Sequence, residues 1–320
     1  MHRCEWLSVA VAAVLLFTSI NSAKAESQTE TECSMISGMY VSLRDNNNVT
    51  LGNREWETEL LGFAQQHGFN YLIFYDIENI ANQPARAAHL AGLIERAKNE
   101  FNIIQIGAAL GSKRAARNIL KFNQQYRHLA RIDVLNLEFE FWNLRSEQGA
   151  FEQAIDLLNN FREVAQQQQL LTEVYIGWIS AEQGKALAGA VDRILVHYYR
   201  HNSDNILSYG QERLRYLASA EQQVNIAPIF SNEGPDNTAD PGGYFMGPWL
   251  NENALGDAFE QWQREFQAIN APWKHQLSVF GSVWFLYNHF ADITDLRGNA
   301  NSGTHSQKCL SNMQSPQNTP

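Results

Sequence analysis

The sequence predicts an α/β chain built as a single-domain (β/α)8 barrel, the TIM-barrel architecture, and three observations carry that prediction. Eight short β-branched or aromatic runs recur along 36–297, and amphipathic stretches separate most of them. No glycine-rich phosphate or dinucleotide loop follows any run. Such alternation means parallel strands with crossover helices. Eight units in about 250 residues fit a closed barrel better than an open doubly wound sheet, which also lacks its usual signature here.

The predicted strands are 38–43 (GMYVSL), 71–75 (YLIFY), 103–106 (IIQI), 134–141 (VLNLEFEF), 174–179 (VYIGWI), 194–199 (ILVHYY), 224–230 (VNIAPIF) and 278–285 (SVFGSVWF). The predicted helices are 56–67, 84–101, 115–128, 151–168, 211–220 and 253–269. In 84–101, Ala88, Leu90, Leu93, Ile94 and Ala97 form one apolar stripe at helical spacing. Segment 231–250 is a long turn-rich loop carrying Tyr244, Phe245 and Trp249, of a length that usually marks function or looseness.

The two ends read differently. Residues 1–25 have a basic start (His2, Arg3), an apolar run over 7–17 and a small-x-small site at Ala23-Lys24-Ala25. That is a secretory signal peptide cleaved near Ala25, too short in its apolar run to span a bilayer, so the chain is expected to be secreted or periplasmic. Cleavage removes Arg3, Lys24 and Glu5, leaving 22 Lys+Arg against 33 Asp+Glu, a net charge of −11. This acidity excludes the basic face a nucleic-acid binder needs. Residues 26–35 read as a linker and 298–320 as a polar tail. Cys4 leaves with the signal, so the mature chain keeps Cys33 and Cys309. Two cysteines in an oxidising compartment most simply pair, tying the chain's ends together. No cofactor, metal site or partner subunit is called for; His197 and His201 lack a third ligand.

Barrel chemistry sits at the C-terminal ends of the strands, and the fourth strand is the informative one. Asn136, Glu138 and Glu140 are spaced by two, so the alternation of a strand sends all three inward while Leu135, Leu137, Phe139 and Phe141 face the helices. Carboxylates about 7 Å apart on one face push one pKa upward. A protonated acid beside an ionised neighbour suits glycosidic cleavage. Trp142, Trp178, Tyr199 and Trp284 lie at or near predicted strand ends, and Tyr244 and Trp249 on the long loop extend a groove for the apolar faces of sugars. Asp76 and Glu78 after the second strand are further carboxylates near the mouth.

The run Asp133-x-x-Asn136-x-Glu138-x-Glu140 resembles the Asp-x-x-Asp-x-Asp-x-Glu signature of family-18 glycoside hydrolases, the chitinase-like barrels, with Asn136 and Glu138 standing where the family has Asp. The resemblance implies Glu140 as general acid and Glu138 as the carboxylate orienting a substrate N-acetyl group that itself attacks the anomeric carbon. Tyr199 in the sixth strand is similar to the family tyrosine on that acetamide, with Arg200 in place of an Asp, and Trp284 is similar to the family tryptophan under the sugar. Two alternatives stay open. One is double displacement with Glu140 as acid and Glu233 as nucleophile, about 5.5 Å apart. The other is an inactive barrel that binds glycan.

Overall fold

The computed structural model describes residues 35–45, 48–126, 130–199, 206–232, 246–250 and 253–290. They belong to one unit, Ser34–Gln307; a second unit, Met1–Cys33 with Lys308–Pro320, lies outside the described residues, and with it the signal peptide, Cys33 and Cys309. Glu233, Tyr244, Arg200 and His201 also lie outside them.

Eight parallel strands form the barrel: β1 (Ile36–Ser42), β2 (Tyr71–Tyr75), β3 (Gln105–Leu110), β4 (Val134–Leu137), β5 (Leu171–Ile176), β6 (Arg193–His197), β7 (Val224–Ser231) and β8 (Gly281–Phe285). Each pairs with the next in sequence, and β8 pairs β1 in the register Ile36↔Gly281 to Met39↔Trp284, so the sheet closes. A three-residue piece, Leu277–Val279, precedes β8 and pairs with the start of β7. Among the described residues, seven helices of at least seven residues cover the outside: α1 (Arg54–Gln66), α2 (Pro84–Glu100), α3 (Lys113–Gln125), α4 (Glu147–Gln166), α5 (Ala181–Ala190), α6 (Gln211–Leu217) and α7 (Leu255–Ala268).

Local chemistry starts these helices. Asn53 Oδ1 accepts from the N–H groups of Glu55 and Trp56, Pro84 occupies the first turn of α2, and Ser180 and Gln183 form a capping box at α5. Alternation along the strands then separates two apolar layers. Leu72, Phe74, Leu135, Leu137, Val174 and Ile176 meet the helices, while Tyr40, Tyr71, Ile73, Val134, Tyr175 and Leu195 fill the barrel. Two glycines make room inside. A Cβ on Gly107 would come within 2.5 Å of Tyr71 Oη. Gly281 has φ +150°, and a Cβ there would collide with the Ile36 carbonyl oxygen.

Several predicted boundaries shift, among them the fifth strand, which is Leu171–Ile176 rather than 174–179. The third strand is Gln105–Leu110 rather than 103–106: Ile103 and Ile104 precede it, Ile104 is half-exposed, and the small residues Gly107–Ala109 line the sheet instead. The fourth ends at Leu137 rather than 141, and this alters the site.

Candidate active site

A chain of buried polar groups floors the barrel. Glu173 on β5 and Arg193 on β6 are register partners, and Arg193 Nη2 lies 3.0 Å from Glu173 Oε2. Glu173 Oε1 accepts from Tyr71 Oη and Asn136 Nδ2, both at 2.9 Å, and Asn136 Oδ1 accepts from Tyr40 Oη at 3.1 Å. Arg193 Nη1 donates to Gln105 Oε1 at 2.8 Å, with Tyr71 and Phe280 rings against its guanidinium. Asn136 has no exposure. Both ends of its amide bond within the barrel, where it links Glu173 to Tyr40.

Above this floor the mouth opens. Backbone N–H of Glu138 donates to the Leu110 carbonyl at 3.1 Å, continuing the β3–β4 ladder one step past β4. That keeps Glu138 in the inward phase of the strand. Its charge acts on Tyr75, Tyr40, Tyr175 and Tyr199. With Asp76, Glu78 and Tyr75 it lines a cleft of about 240 Å³ between the ends of β2, β3 and β4. Asp76 accepts from Ser42 Oγ at 2.9 Å and Glu78 from the Gly111 N–H at 2.8 Å.

Glu140 departs from the alternation. Phe141 N–H bonds the Phe139 carbonyl at 2.8 Å across Glu140, whose φ −77° and ψ 65° are those of an inverse γ-turn centre. The turn swings Glu140 out of strand phase to an exposed position, where Oε2 accepts from Asn143 Nδ2 at 2.7 Å. It stays near the mouth, because its charge acts on Tyr175.

The aromatic wall is assembled from several strands. Tyr199 stacks with Tyr175 at 6.0 Å and with Phe285 at 6.1 Å, and Tyr40 lies 5.3 Å from Tyr75 and 5.5 Å from Phe285. Trp142 packs edge-on to Tyr175 and against Gly177, where a Cβ would come within 2.5 Å of its ring. Trp178 is 49% exposed just past β5. Two aromatics fall elsewhere. Trp284, 3% exposed, packs on Phe230 and Phe290 in the barrel–helix layer. The Gly38↔Val283 register turns Val283 and Phe285 inward, so Phe285 takes the place expected of Trp284. Trp249, on the turn Gly247–Leu250, also packs on the outer layer.

Sequence reasoning missed Tyr40, Tyr71, Tyr75, Tyr175, Glu173, Arg193 and Phe285 as a connected set. The available signal was period two: each sits in the inward phase of its strand.

Burial, then the carboxylates of Glu138, Glu173 or Glu140, hold Tyr40, Tyr71, Tyr75 and Tyr175 well above the ordinary phenol value; for Tyr199 the order is burial, Tyr175, then Glu138. A raised phenol pKa favours the neutral form in the fold. The resulting stability is complete below the unfolded value near 10 and drains away as pH rises past it. An alkaline titration followed at 295 nm is expected to show these five phenolates appearing together with loss of near-ultraviolet circular dichroism. Five phenolates titrating near pH 10 in a still-folded protein would refute the account.

No protein-family model matches the sequence, and no curated protein sequence does. Among solved structures the chain is similar to a β-glucuronidase of Faecalibacterium prausnitzii, at 10% identity and TM-score 0.50, over 79% of this chain and 42% of that one. It is also similar to the spore cortex-lytic enzyme SleL of Bacillus megaterium, at 14% identity and TM-score 0.48 over 81% and 73% of the two chains. A chitinase of Chromobacterium violaceum matches at 12% identity and TM-score 0.45, over 83% and 100%. The chain thus spans less than half the length of the glucuronidase. What the likeness establishes is architecture: a (β/α)8 barrel.

Proposed function

We propose that this chain is an exported glycoside hydrolase that takes a glycan into the C-terminal mouth of its barrel. The observation that carries the reading is Glu138, a carboxylate beside Tyr75 in an aromatic-walled mouth, with a second carboxylate, Glu140, two residues on at the rim. In the family-18-like route, Glu140 gives its proton to the glycosidic oxygen as that bond breaks, and the substrate's acetamide oxygen closes on the anomeric carbon. Glu138 and Tyr199 hold the acetamide, and water, deprotonated by Glu140, then opens the ring formed. Trp142 and Trp178 offer faces for sugar stacking. Export, monomeric state and a Cys33–Cys309 bond belong to the same proposal; a melting temperature unchanged by reductant would remove the disulfide.

One observation favours a second reading, a barrel that binds glycan without cutting it: Glu140 is exposed and engaged by Asn143. Apo geometry alone does not disqualify an acid that a seated sugar would cover. The test is a panel of N-acetylated, neutral and acidic oligosaccharides, assayed for new reducing ends and for binding by calorimetry. New reducing ends support the hydrolase. Binding without cleavage supports the second reading, and neither result from any glycan overturns both.

A further inference from the structure

Three arginines are buried among the described residues, and they are treated differently. Arg96 pairs with Glu57 at 2.9 Å and Arg193 with Glu173 at 3.0 Å. Arg213, in the first turn of α6 and 2% exposed, has no carboxylate within ion-pair distance among the described residues. Its guanidinium sits 4.6 Å from the ring centres of both Trp178 and Tyr209 and 5.9 Å from that of Tyr198. Nη2 donates to the Tyr209 carbonyl at 2.8 Å, Nη1 lies 3.5 Å from His197 Nδ1, and Nε makes no hydrogen bond.

A guanidinium stays charged in proteins, and burying a charge without a counter-charge is costly. Burial pulls the pKa of Arg213 down, the expected mark of that cost. The cation is also placed where ligands arrive. His197 closes β6 and Trp178 lies two residues past β5, so Arg213 stands under the β5–β6 side of the mouth. Across the mouth, the cleft between β2 and β4 holds Asp76, Glu78 and Glu138. Among the described residues the mouth is therefore polarised, with carboxylates on one side and on the other a cation that none of them pairs. Trp178, half-exposed and stacked on the guanidinium, is the group whose rotation would uncover it.

We propose that Arg213 is the anion-recognising group of the site, and that the glycan it takes carries a sugar carboxylate adjacent to the N-acetylated sugar. This rests on the glycan-site reading above and narrows it to acidic glycans. The carboxylate docks on the Nε–H side of the fork when Trp178 turns aside, and Arg213 gains a counter-charge that the described residues do not supply.

The test compares two tetrasaccharides by calorimetry: one alternating N-acetylglucosamine with glucuronic acid, and the all-N-acetylglucosamine tetramer. The quantity read is the ratio of their dissociation constants. Wild type is expected to favour the acidic tetramer by about tenfold, the scale of one charge-assisted contact. Arg213→Gln should bring the ratio to about one, and Arg213→Lys, which keeps charge but loses the planar fork, should fall between. Trp178→Ala, at an exposed position, should widen the ratio by uncovering the cation. Should Arg213→Gln fail to fold, the wild-type and Trp178→Ala ratios still decide. Equal binding by wild type, or a preference that survives Arg213→Gln, overturns the inference while leaving the glycan-site reading intact. Failure of both tetramers and of the wider panel to bind overturns both.

Discussion

Glu140→Gln is expected to lower cleavage of an unactivated glycan by about 10²–10⁴-fold, the range that a positioned general acid supplies. The substitution is close to isosteric, and a Gln carbonyl can still accept from Asn143, so the inverse γ-turn has no reason to open. The loss should fall on kcat. A leaving group's need for a proton separates catalysis from mere structure: a nitrophenyl glycoside departs as a stable phenolate, so Glu140→Gln should cost it far less than it costs a sugar leaving group. Equal losses on both substrates would mean that Glu140 only supports the rim. No loss on either would remove it from the mechanism. Glu138→Gln behaves differently in this scheme, impairing both substrate types alike, because orientation of the reacting group is needed whatever departs.

Much of the architecture was legible because the barrel buries both faces of its sheet. Runs such as YLIFY at Tyr71–Tyr75 and ILVH within Arg193–His197 have no other use, and each of the eight predicted runs overlaps a barrel strand. Where reading failed, a specific local force had won. Helix α5, AEQGKALAGA, carries two glycines that count against a helix. Yet a Cβ on Gly184 would come within 2.8 Å of the Tyr216 backbone, so glycine is what lets α5 and α6 approach. Strict alternation held through Glu138 and broke at Glu140, where one hydrogen bond across a γ-turn outweighs strand phase. Trp284 was misassigned by one step of that same period, and Phe285 faces inward in its place. The Glu173–Arg193 pair was readable in principle, as a single charge at the start of each of two adjacent apolar strands. Its partners Tyr71, Gln105 and Asn136 come from three other strands, and a register between strands is not written in any one of them.

That pair is where the largest stability effect is expected. Glu173→Leu should destabilise the fold by about 3–5 kcal/mol, read as a lower urea midpoint at unchanged slope. The cost arises less from the attraction lost than from what is stranded: a guanidinium 5% exposed, plus the Tyr71 hydroxyl and one Asn136 N–H, all of which had been satisfied by the same carboxylate. Converting both charges, as Glu173→Leu with Arg193→Met, should recover most of the loss, since two apolar side chains of similar volume leave no charge behind. A loss below about 1 kcal/mol in the single variant would mean water reaches the floor of the barrel. The effect should also be felt above. Asn136 links Glu173 to Tyr40, and Tyr40 packs on the ring of Tyr75, which lines the same cleft as Glu138. A floor that loses its carboxylate therefore frees the wall that aims the upper one, so the single variant should lose glycan affinity even at temperatures where it remains folded.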